Sequence, residues 1–299
     1  MIEEIKDKLK NRDRVIRVLS KNGHFRAVAV KNTMAAITAQ EKHKLDGLSA
    51  SYLAKALSSA TMLSAFLKGE ERVSIEFSGD GCMNKLYAES LQVGECRGFV
   101  SYKDNIEPIT NLSEILGQGT LKVTRILYNE PEPIIGIVPI QKGDISTDLA
   151  YYFAQSEQIG SGVVLDADFN ENGKIIQSGG FIIQAMPDAT DNELQTMENK
   201  LSEVTSLSKD FMEGLSLIDI LKKYLPFDFD ILKSTQVDFF CRCSKENFIA
   251  KLLLLPIDEI KDMQNRKQNE LICQFCSKHY YLDNNDFNNI ISAIKAKQN

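Results

Sequence analysis

Tryptophan is absent from this sequence, and imidazole is supplied only by His24, His43 and His279. So small a set leaves acid–base catalysis few candidates, and no HExxH, GxSxG or Ser/His/Asp grouping is present. No lysine- or arginine-rich run occurs. With a net charge of −6 and a pI near 5.3, the composition argues against a nucleic-acid binder, which usually shows a basic face or tail. Long apolar runs are missing too. The purest, residues 252–255, is far too short to cross a bilayer, so no membrane partner is expected. Gly79-Asp80-Gly81 and Ser178-Gly179-Gly180 lack the lysine and the strand-to-helix setting of a phosphate loop, and both are expected to be turns or bulges. The stretch Met1-Ile2-Glu3-Glu4-Ile5-Lys6-Asp7-Lys8 carries acid where a signal peptide needs a basic region and then an apolar core. The expected location is therefore the reducing cytosol.

What is present is an ordinary globular composition, 43% hydrophobic and 25% charged. At 299 residues the chain is long for one core, so two or three domains are expected. After a short charged helix, residues 15–19 and 26–30 read as strands around the hairpin signal Asn22-Gly23. Thr33 reads as the N-cap of an alanine-rich helix reaching about Lys44. Ser49 opens a second, rich in Ser and Ala, that runs to Leu67, stops at Gly69 and should pack closely against a sheet. Residues 72–77, 85–91, 98–102, 121–128 and 134–140 form an antiparallel meander. A helix over 147–157, capped by Ser146, precedes strands 163–169 and 174–184 around Asn172-Gly173.

Strands dominate and helices come in groups, so the fold class is α+β, with a strand-rich N-terminal domain over residues 1–187. Over 188–236 the pattern becomes helical: Leu194, Met197, Leu201, Val204 and Phe211 form one stripe, Gly214 is a stop, and Ser216 caps a shorter helix ended by Pro226. This linker can dock on a neighbour but has little capacity to fold alone. A small C-terminal zinc domain over 237–299 completes the chain.

That last unit holds four of the six cysteines, as Cys241-Arg242-Cys243 and Cys273-Gln274-Phe275-Cys276. A CxC and a CxxC deliver four thiolates from two local turns, the donor set of a tetrahedral zinc site. A helix starting near Ser244, another over 257–264, and a β-hairpin over 271–282 with the CxxC at its tip would bring the two knuckles together. The same short intervals also permit each pair to close on itself as a disulfide. Spacing alone favours a structural staple over a switch. His279 is a rival ligand, but four cysteines already fill the tetrahedron, and a catalytic zinc would keep a position open. Cys82 and Cys96 lie in strand-like sequence and are expected to be buried thiols.

Taken together, Cys241-Arg242-Cys243-Ser244-Lys245-Glu246, Cys273-Gln274-Phe275-Cys276 followed by Tyr280, Ser156-Glu157-Gln158-Ile159, Gly136-Ile137-Val138-Pro139, Gly79-Asp80-Gly81 and Gly179-Gly180 resemble the bacterial redox-regulated 33-kDa heat-shock chaperones. The likeness spans essentially the whole chain, with departures at Cys82, Gly160-Ser161-Gly162 and Asp188 that leave the ligand cysteines intact. It implies an ATP-independent holdase rather than an enzyme, cytoplasmic, with unfolding proteins as clients. It implies one Zn2+ per chain on Cys241, Cys243, Cys273 and Cys276 in the reduced, inactive state. Oxidation would then pair Cys241 with Cys243 and Cys273 with Cys276, release zinc, unfold the C-terminal unit, destabilise the helical linker and yield an active homodimer. A zinc-ribbon protein that binds nucleic acid or a translation component is the alternative; its basic residues Arg242, Lys245, Lys251 and Lys278 are offset by Glu246, Asp258, Glu259 and Asp262. An enzyme stapled by zinc is a third reading, and it requires a polar pocket in the first domain.

Overall fold

The alternating residues of β1 (Arg14–Ser20) and β2 (Phe25–Lys31) pair as the expected hairpin and begin a five-stranded antiparallel sheet. The structure is a computed structural model that describes residues 12–103 and 114–298; the short charged helix expected at the N-terminus lies outside these residues. The first sheet has the order β10-β1-β2-β9-β8, where β8 is Ser161–Phe169, β9 is Ile175–Ala185 and β10 is Phe229–Gln236. The second has the order β11-β5-β4-β3-β6-β7. Its strands are β3 (Arg72–Gly79), β4 (Lys85–Leu91), β5 (Glu95–Ser101), β6 (Gly119–Ile126), β7 (Ile134–Pro139) and the short β11 (Asp238–Phe239), which runs parallel to β5. The meander and both hairpins are as expected. The architecture is α+β.

Helix α1 (Thr33–His43) leads into α2 (Gly47–Ser64), which contributes to a core shared with both sheets rather than packing on one. Fifteen of its eighteen residues are buried, and small Ser and Ala side chains let strands approach from opposite sides. Three of the buried hydroxyls bridge to neighbouring elements: Ser58 and Ser178 both donate to Asn32 Oδ1, at 2.8 and 2.9 Å, and Ser51 donates to the Ala167 carbonyl at 2.8 Å. Three expected caps are corrected. At α1 the N-cap position falls to Asn32 rather than Thr33. Helix α2 is capped by Asp46, whose side chain accepts the Ser49 N–H, and α3 (Ile145–Tyr152) by Asp144, which accepts the Thr147 N–H. The chain continues from α3 as a π-helical turn over Phe153–Glu157.

Gly79-Asp80-Gly81 does turn the chain at the end of β3. Ser178-Gly179-Gly180, in contrast, lies inside β9, paired with β2 and β8. A Cβ on Gly179 would sit 2.4 Å from the Val30 carbonyl oxygen and 2.7 Å from the Phe211 ring, so the glycine there serves close packing rather than a turn.

Helices α4 (Asp191–Ser202), α5 (Leu207–Met212) and α6 (Leu217–Tyr224) cover the outer face of the first sheet. Met197, Phe211, Ile220 and Leu221 meet Ile16, Val18, Phe25, Ala27, Phe181 and Ile183 in a second core. Ser216 caps α6 as expected, with Asp219 completing a capping box.

Two compact units divide between Phe240 and Cys241. The second contains α7 (Lys245–Leu252), α8 (Ile257–Asn265), the hairpin β12 (Glu270–Ile272) and β13 (His279–Tyr281), and a terminal helix α9 (Asn284–Gln298). Leu252, Ile260, Leu282, Phe287, Ile290 and Ile294 form its hydrophobic core.

Candidate metal centre

Ser244 shapes the first knuckle. Its hydroxyl accepts the Asn247 N–H at 3.2 Å and starts α7, so Cys243 stands directly before a helix N-terminus. Asn247 reaches back to donate to the Arg242 carbonyl at 3.1 Å, fixing the loop between the two cysteines. The second knuckle is the tip of the β12–β13 hairpin. Cys273 N–H bonds to the Lys278 carbonyl and Ser277 N–H to the Cys273 carbonyl, at 2.9 and 2.7 Å, and Ser277 takes a left-handed φ of 54° to close the turn.

The two knuckles meet. All four sulfurs lie within 4.8 Å of one another, and no other group of three or more His, Cys, Asp or Glu with this arrangement occurs among the described residues. Cys241 Sγ is 3.7 Å from Cys273 Sγ, and Cys243 Sγ is 3.4 Å from Cys276 Sγ. Zinc–thiolate bonds of about 2.3 Å at tetrahedral angles place sulfurs about 3.8 Å apart, so the four donors fit such an ion in number, chemistry and spacing. His279 is engaged elsewhere: its Nδ1 is 2.7 Å from Glu270 Oε1.

The four thiols are not equivalent. Burial raises the Cys273 and Cys276 thiols. Burial also opposes ionisation of Cys243, but hydrogen bonds from Tyr280 and the neighbouring thiols outweigh it and bring this group down to about 7. The partial positive charge of the α7 N-terminus acts in the same direction. Cys243 is therefore more ready than Cys273 or Cys276 to be a thiolate near neutral pH.

Tyr280 was visible in the sequence only as a companion of the CxxC. Its hydroxyl donates to the Cys243 carbonyl at 2.8 Å and lies 3.3 Å from Cys243 Sγ. Of the basic residues nearby, Lys245 is paired with Asp286 at 2.6 Å, and Lys278 Nζ sits 5.0 Å from the centre of the Tyr280 ring. Cys96 is fully buried in the first unit; Cys82 is only half-buried there, 3.6 Å from the Ile115 carbonyl.

An open polar cleft of about 540 Å³ does exist in the first unit, lined by Asp80, Glu114, Gln118, Gln141 and Lys142 among others. Among the described residues that line it there is no histidine, cysteine or serine, and Asp80 is occupied in accepting the Gln118 N–H at 2.7 Å. These residues offer no nucleophile paired with a base.

Fold and site define a class: an α+β protein of two sheets joined to a small unit that gathers four thiols as a metal site does. Residues 13–283 match the family described as Hsp33 protein. The 33 kDa chaperonin of Streptococcus gordonii is 31% identical over 287 residues, covering 93% of this chain and 98% of that protein. That of Geobacillus kaustophilus is 32% identical over 293 residues, covering 95% and 99%. The crystal structure of the 33 kDa chaperonin from Thermotoga maritima superposes with a TM-score of 0.85 at 24% identity, covering 96% of this chain and all of that one. The chain belongs to the Hsp33 family.

Proposed function

We propose that this protein is a redox-regulated, ATP-independent holdase, inactive while Cys241, Cys243, Cys273 and Cys276 hold one Zn2+ as thiolates and active after they are oxidised. Family membership supports the chaperone role. The observation that carries the switch is the convergence of four sulfurs in a unit whose own core is six buried apolar side chains. Bound zinc would cross-link the two knuckles, contributing about 10–16 kcal/mol in sites of this kind, as much as the roughly 5–15 kcal/mol that stabilises a whole domain.

Oxidation acts on the donors. Two thiolates of a pair give up two electrons to hydrogen peroxide, an S–S bond forms, and the peroxide takes two protons from solvent and leaves as two waters. A disulfide sulfur is no longer an anionic ligand, so two such bonds remove all four donors. The proposed pairs are Cys241 with Cys243 and Cys273 with Cys276. In the folded unit Cys241 faces Cys273 and Cys243 faces Cys276 across the knuckles, at 3.7 and 3.4 Å, but once the unit loosens the partners within each knuckle are never far apart, whereas the cross-knuckle pairs must close loops of about thirty residues.

The helices α4–α6 precede this unit in the chain, and their loosening, promoted by heat, would uncover Ile16, Val18, Phe25, Phe181 and Ile183 on the first sheet. A contiguous apolar face of that kind suits unfolding client proteins, and self-association to a homodimer, without any nucleotide. The cytoplasm is the compartment in which such thiols stay reduced until stress.

Treatment with peroxide at heat-shock temperature should release about one zinc per chain and switch on suppression of client aggregation. Disulfide mapping should find the two local pairs. Equal suppression by reduced and oxidised protein would remove the switch from this reading.

A further inference from the structure

The hydroxyl of Tyr280 makes two contacts, both to one cysteine. It is 2.8 Å from the Cys243 carbonyl oxygen and 3.3 Å from Cys243 Sγ, so it grips the main chain and the thiol of the same residue. Tyr280 belongs to β13, opposite Leu271 in the hairpin whose tip carries Cys273 and Cys276. The contact therefore ties the CxC knuckle to the CxxC knuckle without using any sulfur-to-metal bond. The ring itself is held: Phe248 of α7 packs against it with centroids 5.5 Å apart, and Lys278 Nζ lies 5.0 Å from its centre. Tyr281, the next residue, bonds through its hydroxyl to Glu270 instead, at 2.8 Å.

We infer that Tyr280 is a positioning residue for the four-sulfur site. Its hydroxyl holds Cys243 against Cys276, at the observed Sγ–Sγ distance of 3.4 Å, before a metal arrives. A site arranged in advance binds more tightly because less ordering accompanies binding, and groups that hold ligands in place typically contribute 10- to 100-fold in metal affinity. Tyr280 would thus set how firmly the switch is latched. This rests on the reading of the four cysteines as a zinc site.

The test compares the full-length wild type with Tyr280→Phe, which keeps the ring and removes only the hydroxyl, and with Tyr281→Phe as a neighbouring hydroxyl deletion. Zinc affinity is measured by competition with a chromophoric chelator, and site geometry by the visible d–d bands of the Co2+ form. Tyr280→Phe should bind zinc at least about 10-fold more weakly and shift the Co2+ bands, while Tyr281→Phe matches wild type in both and circular dichroism shows all three folded. Wild-type affinity and an unchanged Co2+ spectrum in Tyr280→Phe would overturn the inference while leaving the zinc reading intact. Equal weakening by both variants would also overturn it, since the effect would then not come from the Cys243 contact. Failure of the wild type to take up zinc would overturn the underlying reading and this inference with it.

Discussion

Asp13 Oδ2 accepts the Ala35 N–H at 2.7 Å, supplying from the start of β1 the acceptor that the N-terminus of α1 lacks locally. Thr33, which the sequence marks as the cap, is instead the first helical residue, and its hydroxyl bonds to the Ser178 main chain and to Gln177. A cap from twenty-two residues away leaves no local signature, which is why this one was not legible. Burial drives the Asp13 carboxyl up to about 6, with Asp238 adding to the rise and the Ala35 and Met34 N–H groups and Lys31 opposing it. In the unfolded chain the same group titrates near 4, so between about pH 4 and pH 6 the folded state binds more protons. Stability from this residue is thus highest below pH 4 and falls as pH rises through 6. Asp13→Asn keeps an acceptor and has no charge to bury. Urea denaturation from pH 4.5 to 7.5 should show the variant gaining about 2 kcal/mol on wild type across that window; parallel curves would contradict the assignment.

Elements with strong local signals were legible: both Asn-Gly and Gly-Asp-Gly turns, the meander, the Ser216 and Ser244 caps, and the stripe of Leu194, Met197 and Leu201. Two elements were not. Strand β10 carries mostly exposed residues, including Ile231 and Leu232, and exists because the edge of β1 is there to pair with it. Helix α9 begins in an Asn- and Asp-rich stretch, and its apolar residues Phe287, Ile290 and Ile294 acquire meaning only against Leu252 and Ile260. The cover α4–α6 was read as weakly apolar, yet the sheet it meets completes its core. Asp210, buried within it, accepts from Tyr224 Oη at 2.7 Å and Lys223 Nζ at 2.5 Å, so the cover also depends on a polar clasp. Ile220 is the test residue, buried from α6 against the sheet. Ile220→Ala should cost about 2–5 kcal/mol of local packing and open the cover at lower temperature. Limited proteolysis of the reduced, zinc-loaded variant should then cut within residues 188–225 below the wild-type threshold, with zinc content unchanged. An unaltered cleavage pattern would mean that the cover does not open separately from the sheet.

At the scale of the whole molecule, the two units differ in what holds them. The first has two sheets around α2 and a second core beneath α4–α6, so its stability comes from apolar burial on both faces of the five-stranded sheet. The second, roughly 60 residues, has six buried apolar side chains and four convergent sulfurs, and chains of this size bury a smaller share of their surface. The sequence made the sulfur convergence legible because cysteine spacing is a local property; it could not reveal that Tyr280 spans the two knuckles, because that contact joins residues thirty-seven apart. Replacing one of the proposed ligands separates the contributions. In Cys273→Ser, three thiols and a hydroxyl remain, and a serine oxygen is a poor substitute for a thiolate toward zinc. Zinc content per chain should fall well below that of the wild type. Trypsin should degrade the chain from about residue 241 onward under conditions in which wild type is intact, while a fragment ending near Phe240 survives with an unchanged melting transition. Full zinc content and a protease-resistant C-terminal unit in this variant would show that the apolar cluster around Ile260 and Phe287 suffices to hold the unit and that Cys273 is not a ligand.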